Sequence, residues 1–489
     1  MVKDFGSVTS KKIDWRIIQP NDKHDWINQR DGLFDTLLSL SPEKKFVKSK
    51  DSFFDGYSLG IATNKDTWLY NSSKESLCSN VCAMIDFYNQ ERIRFQKLKK
   101  DNSKLEVKET VTYDTTKITW TDMFLKDVER NIKYSFENNS LTDSLYRPFF
   151  KQKFVYQKQL IQRTYQQLKF FPTTQHKNVI ICVSGIGGNK EFSTLITDCI
   201  PDLQILSNGQ CFPLYWYEEN KNQQATLFDD IETEKYIRRD GITDWILKEV
   251  RKRFGGTKAM TKEHIFYYVY GLLHSKQYRE RFADDLKKSL PRIPIVENVQ
   301  DFMAFYKAGK ELADLHLNYE DNINSQATGN DGDYFFYAAM PMFAYSSLRV
   351  KVYGDKDIWK EEFSEDTYQY FSVDKLAFAK VRDENGKLVA DKSKIIYNGH
   401  ITIENIPLKA YEYVVNGKSA IEWIMERYAV TIDKASQIKN DPNDWAREHG
   451  QPRYILDLLL SVIMLSVQTV EIVESLPKIN VSFQNWRID

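Results

Sequence analysis

Residues 144–190 read SLYRPFFKQKFVYQKQLIQRTYQQLKFFPTTQHKNVIICVSGIGGNK, and they are the most informative part of the chain about its fold. The run Val179–Val183 is apolar throughout and has polar and glycine neighbours, which predicts a strand buried on both faces. Phe154–Tyr156 and Phe212–Tyr217 predict further short strands. No regular alternation of strand and helix surrounds them. We therefore predict a mixed α/β (α+β) fold with an irregular β-rich core.

Helical patterns precede and follow this core. Leu77, Val81, Met84 and Tyr88 recur at helical spacing within Lys74–Lys100, which predicts an amphipathic helix. Similar patterns predict helices at Asp122–Lys133, Thr243–Phe254, Lys262–Ser289 with a break near Gly271–Ser275, Asp301–Tyr319, Ala420–Tyr428 and Tyr454–Ser475, and a helix starting near His24. Strands are also predicted at Lys117–Trp120 and within 348–415, where Asn398-Gly399 marks a hairpin turn. Residues 320–333 predict a loop.

Composition limits the kinds of partner. The 489 residues carry 68 Lys+Arg and 68 Asp+Glu, so a globally basic surface is excluded and an anionic partner needs a local patch. Five cysteines, with no CxxC, indicate reduced thiols in a cytoplasmic protein and no metal site. The apolar run Leu458–Val467 is shorter than the roughly 18 residues of a membrane span, which predicts a core helix and no membrane.

Residues 144–190, which we call the basic stretch, contain eight Lys or Arg residues and no Asp or Glu. Such a charge density attracts phosphates without regard to sequence. Glutamine amides and arginine forks can also pair with adenine and guanine edges. The candidate DNA-binding residues are Arg147, Lys151, Gln152, Lys153, Tyr156, Lys158, Arg163, Asn189 and Lys190. The alternative interpretation is a strand pair with a solvated basic face.

The glycine-rich segment Ser184–Gly188 has three interpretations. It follows a predicted strand, so its backbone N–H groups are suited to contact a phosphate of DNA or of a cofactor. It satisfies neither the Walker A pattern nor GxGxxG, and an ordinary tight turn is the interpretation that we favour.

Catalytic motifs are missing from the sequence. It contains no NPPY-type methyltransferase motif, no HExxH, no GxSxG and no nuclease constellation. The segment Asp441-Pro442-Asn443-Asp444 resembles the NPPY motif only superficially. We interpret it as an Asx-Pro turn in a polar loop. We therefore predict no catalytic residues, no metal and no cofactor, and a chain that is not catalytic alone.

Several long blocks, in order along the chain, resemble a known family. They include SLYRPFFKQKFVY, VSGIGGNKEFSTLITDCIPDLQIL, IFYYVYGLLHSKQYRERFADDLKKSLPRIP, IIYNGHITI and YEYVVNGKSAIEWIMERY. Together they resemble the C-terminal specificity part of type ISP restriction–modification enzymes. Those enzymes join a nuclease, a helicase-like translocase, an adenine methyltransferase and a target-recognition domain in one polypeptide.

The resemblance implies three segments. Residues 1–108 would be a largely helical segment that joins the methyltransferase to the recognition domain. Residues 109–347 would be the target-recognition core, and residues 348–489 its C-terminal β-hairpin and helical part. The expected partners are double-stranded DNA and the methyltransferase and helicase/nuclease domains, which this sequence lacks.

The leading hypothesis is thus a DNA sequence-recognition module of a phage-defence system. Two alternatives stay open. One is a structural or protein-interaction subunit of such a complex. The other is an adenine methyltransferase with an unrecognised cofactor site around Ser184–Gly188.

Overall fold

The computed structural model describes residues 18–27, 29–42, 51–188, 190–220, 235–256, 259–320, 333–335, 348–353 and 364–480. Within them the fold is mixed α/β, with several small sheets among helices, as predicted. The three-segment division of the chain stays a prediction.

The helices lie close to the positions that their apolar periodicity predicts. The long helices are Lys74–Asp101, Asp122–Glu129, Asp244–Arg253, Lys262–His274, Val299–Leu317, Ala420–Arg427 and Tyr454–Glu474. Shorter ones are Asp66–Leu69, Val107–Thr110, Gln167–Phe170, Lys276–Arg281, Ala283–Lys288, Glu365–Phe371 and Pro442–Glu448. Hydroxyl side chains fix several starts: Ser73, Thr121 and Thr243 each accept a hydrogen bond from a backbone N–H of the first turn.

The strands form small antiparallel sheets with few parallel contacts. One sheet has the order Ser58–Leu59, Gln210–Pro213, Ile180–Val183, Thr194–Thr197. A second has the order Tyr70–Asn71, Phe150–Val155, Leu141–Arg147, Ile200–Pro201. A third, the C-terminal sheet, has the order Asp333–Phe335, Arg349–Val352, Ile401–Glu404, Leu388–Ile396, Ala377–Arg382. Two-stranded pairs are Leu38–Ser39 with Arg292–Ile293, Tyr215–Glu219 with Tyr236–Asp240, Val414–Val415 with Lys418–Ser419, and Thr431–Ile432 with Lys439–Asn440.

Two apolar clusters form the core. The larger joins the helix Lys74–Asp101, the second sheet, the C-terminal sheet and the helix Tyr454–Glu474. The smaller joins Phe53 and Phe54 to the helices Lys262–His274 and Val299–Leu317. The strand Ile180–Val183 is buried on both faces, as predicted, because its alternate side chains enter different clusters: Ile180 and Cys182 the larger, Ile181 and Val183 the smaller.

The helix Tyr454–Glu474 is, by length and composition, apolar enough to cross a membrane, and 72% of its most apolar window is buried in the fold. Its Ser461 hydroxyl donates to the carbonyl of Tyr319 at 2.6 Å. These contacts make it the core helix that the sequence predicts.

Two local predictions are wrong, and a third is wrong in part. Lys117–Trp120 is not a strand, because the Asp114 carboxylate accepts from the Thr116 N–H at 3.0 Å and holds a turn there. No helix starts near His24, which has a positive φ of 62° in a turn. Asp441 forms the predicted Asx-Pro turn, because its carboxylate accepts from the Asn443 N–H at 2.9 Å, but this turn caps the helix Pro442–Glu448 and does not lie in a loop. The predicted loop 320–333 lies mostly outside the described residues.

Candidate nucleic-acid interface

The first half of the basic stretch forms a hairpin, Leu141–Arg147 with Phe150–Val155. Its cations are paired with carboxylates. Arg147 Nη1 lies 2.7 Å from Asp202 Oδ1, and Lys151 Nζ lies 2.7 Å from Glu320 Oε2. Lys153 Nζ lies 2.9 Å from Asp143 Oδ1. The stretch is therefore free of acids in sequence, but acids from outside it neutralise this half in space.

Arg147 and Asp202 form a buried ion pair. Their side chains are only 14% and 3% exposed. The guanidinium also lies 3.8 Å from the centre of the Tyr146 ring. Burial raises the pKa of the Asp202 carboxyl to about 7, against the lowering effect of Arg147. The pair ties the strand Leu141–Arg147 to the loop after Ile200–Pro201, which is a structural role.

Two other candidate residues point inward. Gln152 is 2% exposed, and its Nε2 has no hydrogen-bond partner among the described residues. Tyr156 is buried, and its hydroxyl donates to the carbonyl of Phe171 at 2.8 Å. Neither side chain reaches the surface in this conformation.

The remaining candidates are more accessible. Lys158 and Arg163 are exposed, and neither forms an ion pair with any described residue. Lys190 is exposed, and its ammonium donates to the carbonyl of Asn416 at 3.1 Å. Asn189 lies outside the described residues.

The segment Ser184–Gly188 is a packed turn. The N–H groups of Ser184, Gly185 and Gly187 donate to the carbonyls of Ser193, Ser207 and Lys287. A Cβ on Gly185 would lie 2.4 Å from the carbonyl oxygen of Asn208, so only glycine fits. These N–H groups are thus already used within the chain, which favours the ordinary-turn interpretation over a phosphate or cofactor site.

The structure also exposes a ribbon that sequence reasoning did not single out, Tyr215–Glu219 with Tyr236–Asp240. His176, from the basic stretch, packs edge-on against Tyr217 and Tyr236 at 4.7 and 5.2 Å. Arg238 is exposed and lies 4.3 Å from the centre of the Tyr215 ring. The aromatic run at residues 212–217 predicted one strand of this ribbon, but nothing in the sequence indicated its partner strand.

A second exposed ribbon lies at the edge of the C-terminal sheet. It pairs Ala377–Arg382 with Leu388–Ile396, and we call it the projecting hairpin. The predicted Asn398-Gly399 turn connects it to Ile401–Glu404, and this prediction is confirmed. Asn398 holds that turn by donating to the carbonyls of Tyr370 and Ser372.

Two histidines are buried away from these surfaces. His316 binds the hydroxyls of Tyr270 at 2.6 Å and Thr469 at 3.0 Å through its two ring nitrogens. Burial lowers its pKa to about 3, so the ring is neutral. His274 packs 5.5 Å from it, ring centre to ring centre. The described residues contain no cluster of three or more potential metal ligands.

Comparison with known proteins identifies the family to which a chain with this fold belongs. The family model of the Type ISP C-terminal specificity domain matches residues 52–458. The chain therefore belongs to the Type ISP specificity-domain family, as the sequence resemblance predicts. Among curated proteins, none matches the chain.

Three solved structures are similar to this chain. The ATP-dependent Type ISP restriction-modification enzyme LlaBIII bound to DNA is 34% identical, with a TM-score of 0.73, over 95% of this chain and 26% of that one. A nuclease-deletion mutant of the Type ISP enzyme LlaGI in complex with a DNA substrate mimic is 33% identical, with a TM-score of 0.73, over 96% and 31%. The DrdV–DNA complex is 28% identical, with a TM-score of 0.72, over 95% and 41%. The chain thus spans between about a quarter and two fifths of these proteins.

Proposed function

We propose that this chain recognises a DNA target sequence for a prokaryotic Type ISP-like restriction–modification system. The observation that carries the proposal is the family match over residues 52–458, together with three similar structures that are all complexes with DNA or a DNA mimic. The chain would bind duplex DNA in the cytoplasm and hold the site for methyltransferase and helicase/nuclease domains carried on other segments.

Among the candidate residues, Lys158, Arg163 and Lys190 are the best placed to bind phosphates. Their side chains are exposed, and the first two have no ion-pair partner among the described residues. Arg147, Lys151 and Lys153 bind DNA only if the phosphate displaces Asp202, Glu320 and Asp143. Gln152 and Tyr156 would need a rearrangement of the hairpin, and Asn189 stays a candidate from sequence alone.

The test is equilibrium binding of the purified chain to a labelled duplex, followed by fluorescence anisotropy across a salt series. Each phosphate contact releases counter-ions, so log Kd should change linearly with log salt, and affinity should fall steeply between about 50 and 200 mM. The double variant Lys158→Ala/Arg163→Ala should bind more weakly and with a shallower slope. No saturable binding at low salt, or binding that is insensitive to salt, would contradict the proposal.

A further inference from the structure

The projecting hairpin extends beyond the sheet that carries it. Of the nine residues of Leu388–Ile396, only Ile395 and Ile396 pair with the neighbouring strand Ile401–Glu404. Of the others, residues 388–391 pair with the edge strand Ala377–Arg382 alone among the described residues, whereas Lys394 forms an ion pair with Glu404 and the carbonyl of Ser393 accepts from the N–H of Ile406. The register shifts between Phe378 and Ala379, and such an irregularity bends and twists a ribbon locally. The outer part, residues 379–391, is therefore a ribbon of two strands to which no further strand pairs within the described part of the chain.

The tip of this ribbon is held in one shape. The Asp383 carboxylate accepts from the N–H groups of Asn385 and Lys387, each at 2.9 Å. Arg382 Nη1 donates to the carbonyl of Gly386 at 2.7 Å, and Gly386 has a φ of +76° that suits glycine. The turn thus uses the Asp383 carboxylate internally and orders the ribbon before any partner binds.

The two faces of the ribbon differ in chemistry. Cross-strand partners share a face, so Lys380 with Ala390 and Arg382 with Leu388 lie on one side. All four are exposed, with Leu388 at 55%. The only acid paired within the ribbon, Asp391, lies on the other face, where it accepts from the N–H and hydroxyl of Ser393. Neither Lys380 nor Arg382 forms an ion pair with a described residue.

We propose that this face of the projecting hairpin enters the major groove of the target duplex and reads base edges there. The inference rests on the proposed function and deepens it by naming the reading element. A two-stranded ribbon fits the major groove, where arginine and lysine bind guanine O6 and N7, and apolar side chains contact the thymine methyl group. The face carries both of these chemistries and no carboxylate.

The charge of the ribbon indicates reading rather than phosphate binding. Over residues 379–391, Lys380, Arg382 and Lys387 are balanced by Asp383, Glu384 and Asp391. A neutral ribbon adds little to counter-ion release, so it contributes little non-specific affinity. The hairpin would then supply discrimination among sequences, while exposed cations such as Arg163 supply the salt-dependent affinity.

The experiment is selection from a randomised duplex pool by the full chain and by its variants Arg382→Ala and Lys380→Ala. We expect each variant to lose preference at one or two positions of the selected motif, by roughly 5- to 150-fold per position. Arg382→Ala also removes a hydrogen bond of the turn, whereas Lys380 has no role in the turn. A loss of preference in Lys380→Ala therefore cannot be caused by disruption of the turn. Lys133→Ala is the matched control: it removes one exposed lysine that lies in neither ribbon and should leave the motif unchanged.

The outcomes separate this inference from the proposed function. If the wild-type chain selects a motif and both hairpin variants select the same motif with the same discrimination, the reading assignment is overturned and the function stands. If both variants keep DNA selection but weaken binding to a methyltransferase-bearing polypeptide, the face docks a protein instead, and the inference is equally overturned. If the wild-type chain binds no duplex or selects no motif, the proposed function fails and the hairpin assignment fails with it.

Discussion

At the scale of single residues, the cations of the basic stretch fall into two kinds. Arg147, Lys151 and Lys153 each meet a carboxylate within 2.9 Å, whereas Lys158 and Arg163 extend into solvent. A buried pair and a free surface cation respond differently to truncation. Removing one member of a buried pair leaves an uncompensated charge, but removing a solvated lysine leaves nothing behind.

Arg147→Ala should therefore lower the free energy of unfolding by about 3–5 kcal/mol near pH 8, because the buried Asp202 carboxylate loses its partner. The matched control Lys158→Ala should change it by less than about 0.5 kcal/mol. Urea denaturation measures both.

The loss should shrink near pH 6. Burial already raises the pKa of Asp202 to about 7, and removal of the arginine raises it further. A carboxyl whose folded pKa exceeds its unfolded value takes up a proton on folding, so stability increases as pH falls through that pKa. Equal losses in the two variants, or a loss that grows on acidification, would contradict the buried-pair assignment.

At the scale of elements, the helices Lys262–His274 and Val299–Leu317 cross with their backbones in contact. A Cβ on Gly309 would lie 1.9 Å from the carbonyl oxygen of Tyr267, and one on Gly271 would lie 2.2 Å from that of Phe305. Neither glycine is needed for a turn. Both are needed because a methyl group at the crossing would have to separate two helices of the smaller core cluster.

Gly309→Ala should lower the free energy of unfolding by at least about 2–3 kcal/mol. Helix propensity favours alanine over glycine by about 1 kcal/mol, but a clash with backbone at 1.9 Å outweighs this gain. The control is Gly399→Ala, where an added Cβ has no atom within 4 Å and stability should hardly change. A Gly309→Ala protein as stable as wild type in urea would show that the crossing is looser than described.

At the scale of the whole molecule, the two clusters each draw on distant parts of the chain. The larger one includes Ile61 and Tyr88 together with Leu315 and Leu459. Residues from both halves of the chain thus support the second sheet, which contains the hairpin Leu141–Arg147 with Phe150–Val155, and the C-terminal sheet, which contains the projecting hairpin. The projecting hairpin, for which we propose a role in recognition, is thus attached to a common core, and the chemistry of restriction and modification is proposed to lie on other segments.

The isolated chain should accordingly show no ATP hydrolysis, DNA cleavage or methyl transfer, because its sequence contains no motif for any of them. The measurement is each of the three activities with duplex DNA present, using a preparation shown to bind that duplex. ATPase activity that follows the protein through successive purification steps would contradict the prediction.

Local pattern was sufficient to predict the mixed fold and most helices, and the resemblance of long ordered blocks of sequence predicted the family. The helix Lys74–Asp101 ends one residue after its predicted end. The prediction succeeds because helical spacing of apolar residues depends only on neighbours in sequence. The run VIICV predicts a doubly buried strand for the same reason. The local predictions failed where side chains satisfy the backbone in another way, as Asp114 does before Lys117–Trp120 and Asp441 does at the start of its helix.

Which cations are available to a partner depended on the tertiary structure. Asp202 is 55 residues from Arg147, and Glu320 is 169 residues from Lys151, so no window of sequence shows that these charges are paired. The same holds for Gly309, where only glycine fits because the carbonyl oxygen of Tyr267, on another helix, occupies the space of a Cβ. The free face of the projecting hairpin follows from where its neighbouring strand ends. Composition along the chain records which charges exist, and long-range packing decides which of them remain exposed.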